Sequence, residues 1–180
     1  SPDQDIYTIA DRKLTIDASK LKANQEAYDA FYAYEKTFVA TKNAPTIELR
    51  RPFAQLNLGI AADELEAAAK AGIVVAKSAI KVTDVYNAWN ALENNIAAGA
   101  QAVDMEFTLS EKVTNTLYAD ANNDGTDEPY TYLALNYILP GTHTTTESTT
   151  NVEFTWESTN GKTNSPATTF NHIPVERNHR

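Results

Sequence analysis

Along much of the chain, apolar and polar residues alternate with the period of two that is typical of β-strands. The clearest case is YTYLALNYIL at residues 130–139, which predicts a strand in the protein core. Weaker alternation predicts further strands, at 11–17, 27–40, 46–50, 53–58, 73–82, 103–109, 151–158 and 168–175. The pattern therefore predicts a protein made mainly of β-strands.

One segment has the pattern of an α-helix. Residues 62–72 combine strong helix formers with Asp63 as the candidate N-cap and Gly72 where a helix would stop. Residues 84–97 fit two patterns, because their apolar residues lie on one helical face but also extend the preceding alternation. We expect a short helix or an irregular crossover there. The threonine-rich residues 142–151 predict an exposed loop or a frayed edge.

A proline interrupts the alternation in RRPFAQLNLG, residues 50–59. Pro52 lacks the N–H that a β-ladder needs, so two short strands or one bulged strand are expected around it. Many short strands, turn signals at intervals of roughly ten residues and one or two short helices favour an antiparallel Greek-key β-sandwich. No internal repeat and no linker rich in proline, glycine or serine divides the chain. Residues 1–180 are therefore expected to form a single domain.

Composition argues against several classes of function. The formal net charge is −9 over 180 residues, and nucleic acid is an unsuitable partner because phosphate contacts need clustered Lys and Arg. The absence of cysteine excludes disulfides, thiolate metal sites and cysteine nucleophiles. The sequence contains no GxSxG, HExxH, GxxxxGK or GxGxxG motif. We therefore expect no catalytic residues and no enzymatic activity.

Histidines and carboxylates do not form a recognisable site in the sequence. His143, His172 and His179 all fall in the last quarter of the chain without the spacing of metal ligands. Exposed or hydrogen-bonded structural histidines are the favoured interpretation. A carboxylate pair of the glycosidase kind depends on a separation in space that the sequence does not give. A solvated acidic surface is favoured over such a pair.

One loop has the composition of a calcium site. Asp120, Asn122 and Asp124 occupy alternate positions and Gly125 follows, as oxygen ligands do in calcium loops. An EF-hand would place a glutamate at the twelfth position, here Thr131, and would have flanking helices, whereas strands are expected on both sides. A polar hairpin loop is the favoured interpretation, because Asn, Asp and Gly favour turns for backbone reasons alone. Calcium is thus the one candidate cofactor, and no other is indicated.

Three segments carry a resemblance to a known family. With RRPFAQLNLG, the later YTYLALNYIL and the terminal PVERNHR, the chain resembles the fimbrillin-like proteins of Bacteroides-type bacteria, which include type V pilus subunits and related adhesins. The likeness runs over nearly the whole chain, and RPFAQLNLG is its most specific part. It implies a transthyretin-like β-sandwich in an exported lipoprotein at the outer membrane surface or in a fimbrium.

The resemblance also implies how such a protein works. Subunits assemble when a protease cuts after an arginine, removes an N-terminal strand and lets a partner's strand fill the gap. The expected partners are therefore other pilus subunits, together with an unknown host or bacterial surface ligand. In this interpretation Ala54, Leu56 and Leu58 face the core, while Arg50 and Arg51 stay solvated or pair with acidic residues.

The chain departs from the family pattern at both ends. It lacks the lipidated cysteine and the leading strands of a full precursor, and it stops at Arg180 where a further strand is expected. These departures favour a fragment or processed form that is attached to a membrane only through a lipid anchor outside this chain. A sandwich groove would then be open or filled by a separate piece.

A surface glycan-binding module is the competing hypothesis. Trp89, Trp156 and the tyrosines suit a stacking platform for sugars, with the loop around residue 120 as a calcium bridge. Tyrosine in alternating strands is, however, usually part of the core or of the sheet surface. Core packing is the favoured interpretation of the aromatic residues.

Overall fold

A computed structural model describes residues 5–33, 46–141 and 149–176. The chain is 48% strand and 10% helix, which confirms the mainly β prediction. Its strands form three antiparallel sheets in the described residues, and the arrangement is consistent with a β-sandwich.

Twelve strands and one α-helix occur in the described part of the chain. The strands are β1 (Tyr7–Ala10), β2 (Lys13–Ile16), β3 (Ala54–Ile60), β4 (Val75–Val85), β5 (Ala88–Asn90), β6 (Asn95–Ile96), β7 (Val103–Glu106), β8 (Ser110–Glu111), β9 (Thr116–Ala119), β10 (Glu128–Ile138), β11 (Thr149–Ser158) and β12 (Thr168–Pro174). The α-helix is α1 (Ala62–Lys70), and short 3-10 helices span Ala18–Lys20 and Glu26–Tyr28.

The sheets bring together strands that are far apart in sequence. The first sheet has the order β1-β2-β5-β6, the second β3-β10-β9 and the third β12-β11-β4-β7, with β8 also paired to β4. In the second sheet, Leu56 of β3 lies opposite Asn136 of β10. In the third, Phe154 of β11 lies opposite Ile80 of β4.

The second and third sheets face each other. Leu56 and Leu58 of β3, with Ala134 of β10, line the same cavity as Val152 of β11 and Phe170 of β12. Side chains alternate between the two faces of a strand, so Leu56 and Leu58, which are two residues apart, lie on the same face of β3. Ala54 is buried, and Leu56 and Leu58 are half-buried against the core, as expected.

The α-helix confirms the sequence prediction with one change at its start. The N-cap is Ala61, while Asp63 lies in the first turn and accepts a hydrogen bond from the Glu64 backbone N–H at 2.9 Å. A carboxylate there still interacts favourably with the helix dipole. Gly72 follows the helix with a φ of +74°, the left-handed conformation that favours glycine at a helix end.

The strand predicted over residues 27–40 is wrong for the part that the structure describes. Tyr28 ends a 3-10 helix, and Tyr32 forms only an isolated bridge with Arg50. The two tyrosines pack separately, Tyr28 edge-on to Tyr7 and Tyr32 edge-on to Trp89. The aromatic alternation therefore serves two separate core contacts. Residues 34–40 lie outside the described residues.

The helix or crossover expected over residues 84–97 is replaced by a hairpin. Trp89 of β5 lies opposite Leu14 of β2 on one side and Ile96 of β6 on the other. Only 2% of its surface is exposed, so pairing within the first sheet buries the indole and overrides the helical periodicity. Asn94, with a φ of +51°, lies in the turn.

Further segments differ from the prediction. The strand expected over residues 46–50 does not form, because only Arg50 pairs there, in an isolated bridge with Tyr32. The strand expected from residue 11 begins at Lys13, because Asp11 and Arg12 have positive φ and form the turn between β1 and β2. Of the threonine-rich segment, residues 149–151 open β11, and residues 142–148 lie outside the described residues.

Candidate functional site

In the part of the chain that the structure describes, two strands that face each other across the sandwich each have a free edge, meaning an edge that pairs with no other strand. Within the described residues, β3 pairs only with β10 and β12 pairs only with β11. The outer backbone N–H and C=O groups of such strands are available to another strand. Both edges border the same interior space.

That space is a cavity of about 100 Å³ between the second and third sheets. It is lined by residues of five strands: Leu56, Asn57, Leu58, Ile80, Ala134, Asn136, Val152, Phe170 and Ile173. Leu56, Phe170 and Ile173, which lie on the two edge strands, are half-buried. Protein interiors contain few voids larger than a water molecule, so a cavity of this size at a free edge is a candidate binding site.

Asn136 is one of two polar residues in this otherwise apolar lining, together with Asn57. Its residue surface is 2% exposed, and neither its Oδ1 nor its Nδ2 has a hydrogen-bond partner among the described residues. A buried polar group left without a partner costs about 1–3 kcal/mol. A group that enters the cavity could therefore accept a hydrogen bond from Asn136 Nδ2 and donate one to Asn136 Oδ1.

A second buried asparagine shows the usual arrangement. Asn24 donates to Ser78 Oγ at 2.9 Å and to the Ser110 carbonyl at 3.3 Å, and accepts from the Leu135 backbone N–H at 3.0 Å. These bonds tie the segment before the second 3-10 helix to β10 and β4. Asn136 thus differs from Asn24 in partners rather than in burial.

The structure brings the calcium candidates together in the loop between β9 and β10. The two carboxylate oxygens of Asp120 accept from the backbone N–H groups of Asp124 and Gly125, at 3.0 and 2.9 Å. Asn122 Oδ1 accepts from the same Asp124 N–H at 3.0 Å, and its Nδ2 donates to Glu128 at 3.0 Å. Both flanks of the loop are strands, as expected.

These hydrogen bonds account for the shape of the loop. Asn123 and Gly125 have φ angles of +59° and +87°, which suit a turn that side-chain oxygens cap. In the part of the chain that the structure describes, no group of three or more His, Cys, Asp or Glu side chains is arranged to hold a metal ion. The loop geometry fits a polar hairpin, and calcium stays a prediction.

The remaining sequence candidates do not meet in one place. His172 is exposed on β12, while His143 and His179 lie outside the described residues. Trp89 is in the core, and Trp156 is half-buried and packs against the core. Tyr118 is 65% exposed. Trp89 is therefore part of the packing and not of a surface platform, whereas Trp156 also lines a groove on the third sheet.

Arg51 was expected to be solvated or to pair with an acidic residue, and it pairs. Its Nε lies 2.8 Å from Asp29 Oδ1, and its guanidinium lies 4.5 Å from the centre of the Phe31 ring. The hydrogen bonds to Asp29 are the main cause that raises the pKa of Arg51. Arg50 is more exposed and pairs with Glu48 at 3.2 Å.

Sequence reasoning missed the unpartnered amide and the cavity around it. Asn136 lines the cavity together with Ala134, which is two residues away on the same strand. An asparagine within an otherwise apolar face was the available signal. Its lack of a partner depends on tertiary packing.

The fold and these edges define a mainly β protein whose candidate site consists of strand backbone and an inter-sheet cavity. Residues 2–180 match the Family of unknown function (DUF6562), and because the match covers nearly the whole sequence, the chain belongs to that family. Comparison with curated proteins and with solved structures finds no match in either. None of the helices in the described ranges has both the length and the apolar character needed to cross a bilayer.

Proposed function

We propose that this protein is a cell-surface fimbrial subunit or accessory adhesin that assembles by strand exchange. In this proposal a strand from a partner subunit joins the free edge of β3 or β12, and its inward side chains enter the cavity. Strand addition draws its affinity from main-chain hydrogen bonds and its specificity from pockets for alternate side chains. No catalytic side chain is needed.

The observation that carries the proposal is the position of the cavity between two strand edges that are free within residues 5–33, 46–141 and 149–176. Leu56 and Leu58 on β3 face Phe170 and Ile173 on β12 across an apolar space that these residues leave partly open. Burial of apolar surface is worth about 25 cal/mol per Å², so filling this space stabilises the folded protein. The resemblance of RPFAQLNLG to fimbrillin-like proteins is the second support.

The same resemblance supports export to the outer membrane surface or to a fimbrium. The proposed partners are other pilus subunits and a surface ligand of unknown identity. The net charge of −9 supports the absence of a nucleic-acid partner.

The direct test is assembly of the precursor. Adding an arginine-specific protease to the full-length precursor should produce polymers that resist SDS, because an added strand is held by a whole ladder of hydrogen bonds. Stable monomers after complete cleavage would contradict a role as a shaft subunit.

A surface glycan-binding module is the second candidate. A groove of about 790 Å³ on the third sheet is lined in part by the carboxylates of Asp104, Glu106 and Glu157 and by Asn164. Carboxylates and amides are suitable groups for sugar hydroxyls. Glycan-array binding that is lost in Glu106→Gln would favour this candidate. Trp156→Ala is a poorer test, because Trp156 packs against the core.

A further inference from the structure

The buried amide of Asn136 limits the chemistry of the group that can enter the cavity. The great majority of buried side-chain polar atoms have a hydrogen-bond partner. Asn136 has none among the described residues for either Oδ1 or Nδ2, and it lines a cavity of about 100 Å³ together with apolar side chains. The group that satisfies Asn136 must therefore both donate and accept.

The strand register indicates where such a group would come from. Asn136 lies opposite Leu56, and β3, which carries Leu56, pairs only with β10 within the described residues. A strand added to β3 would place an inward residue next to Leu56, in the same row as Asn136. Neighbouring strands are about 4.8 Å apart, so the added strand would lie roughly 10 Å from β10.

This separation selects a long side chain. Among the uncharged polar side chains, glutamine has a longer reach than serine or asparagine, because its carboxamide lies one methylene further from the backbone than that of asparagine. A glutamine amide has two donors and an oxygen acceptor, so it can bond to Asn136 Oδ1 and Nδ2 at once. Methionine or leucine would fill the space but leave Asn136 without a partner.

Charged side chains of similar length are unsuitable. Apart from Asn57 and Asn136, the lining consists of Leu, Ile, Ala, Val and Phe, and contains no ionisable residue. Burying a charge without a counter-charge is far more costly than burying an amide. Lysine, arginine and glutamate are thereby disfavoured.

We infer that the partner strand that joins β3 presents a glutamine side chain to Asn136. This inference rests on the proposed strand exchange, and it adds the chemistry of the partner: an alternating strand with apolar inward residues and one inward glutamine.

The first test compares two short peptides of alternating valine and threonine with lysine ends, identical except for glutamine or leucine at the central inward position. Calorimetry should show that the unmutated protein binds the glutamine peptide about tenfold more tightly. Asn136→Leu should abolish or reverse this preference, because it replaces the amide by an apolar side chain of similar volume. Thr169→Lys, on the exposed face of β12, is the control variant and should keep the preference.

The outcomes separate the inference from the proposed function. Binding of both peptides with equal affinity, or a preference for leucine, would overturn the inference and leave strand addition standing. Absence of binding by both peptides would overturn the inference together with strand addition at this edge.

The second test uses the side chain alone. Propionamide is the glutamine side chain without its backbone, and 2-butanone has nearly the same shape but no N–H donor. In NMR titrations, propionamide should shift the side-chain NH₂ signals of Asn136 and bind about tenfold more tightly than 2-butanone. The difference should disappear in Asn136→Leu. Equal binding of the two compounds to the unmutated protein, as expected if water alone satisfies Asn136, would overturn the inference.

Discussion

Arg51 and Asp29 form a bidentate ion pair, with Arg51 Nε 2.8 Å from Asp29 Oδ1 and Arg51 Nη2 3.0 Å from Asp29 Oδ2. Both side chains are less than one-fifth exposed, at 16% and 19%. The pair joins the residue just before Pro52 to the segment that follows the second 3-10 helix. It therefore fixes the entry of the chain into β3, the edge strand of the candidate site.

Replacing Arg51 by lysine should lower the free energy of unfolding by about 1–2 kcal/mol, because lysine cannot form the two parallel bonds or stack on Phe31 in the same way. Urea unfolding measures the change. Arg50→Lys is the matched control and should change the stability by less than about 0.5 kcal/mol, since exposed ion pairs contribute little. Equal effects of the two variants would contradict this account of Arg51.

Gly59 allows a close approach within the second sheet. A Cβ at this position would lie 2.9 Å from Leu117 Cδ2 and 3.0 Å from Tyr130 Cβ. Gly59→Ala should therefore destabilise the protein by about 1–3 kcal/mol through overpacking. The cost should be smaller in a Leu117→Ala background, where one of the two neighbours is removed. An unchanged cost in that background would show that Leu117 is not the group that resists the added carbon.

The two buried asparagines should respond in opposite ways to leucine. Asn136→Leu removes an amide that has no partner among the described residues, so the free energy of unfolding should stay the same or rise by about 1–2 kcal/mol. Asn24→Leu should lower it by about 3 kcal/mol or more, because Ser78, Ser110 and Leu135 lose a partner. Chemical unfolding of the two variants side by side gives the comparison. A similar loss in both would mean that Asn136 is satisfied in the folded protein.

The calcium prediction for the loop between β9 and β10 has a simple thermal test. Calcium chloride should raise the melting temperature of the unmutated protein, because a cation that binds only the folded state stabilises it. Asp124→Ala should abolish the rise, since Asp124 is one of the three candidate ligands. Magnesium chloride at the same ionic strength is the control. A melting temperature that calcium leaves unchanged would end the calcium hypothesis and leave a polar hairpin.

The long strands could be predicted because the alternation of their apolar and polar residues is visible in the local sequence. β10 spans Glu128–Ile138 and its last five residues are all buried, and the alternating stretch at residues 130–139 predicts a core strand at this place. The end of α1 could also be predicted, because Gly72 follows the helix and its positive φ is a conformation that favours glycine. Such signals act within a few residues of the chain.

The features that failed depend on pairing over long distances. Trp89 has the spacing of a helical face, but Leu14, which is far away in sequence, holds it in a strand. The pairing of Arg51 was among the expectations, but the identity of its partner was not, because Asp29 lies 22 residues away in the sequence. The cavity at Asn136 exists because of how closely two sheets approach each other, and no local pattern encodes that distance.

Assembly of edge variants tests the central claim most directly. Phe170 faces the cavity, whereas its neighbour Thr169 faces outwards on the same edge strand. After cleavage of the precursor by an arginine-specific protease, the unmutated protein and Thr169→Lys should form SDS-resistant polymers, and Phe170→Lys should remain monomeric because a buried lysine has no counter-charge there. Monomers in all three samples, or polymers in all three, would contradict strand exchange at this site.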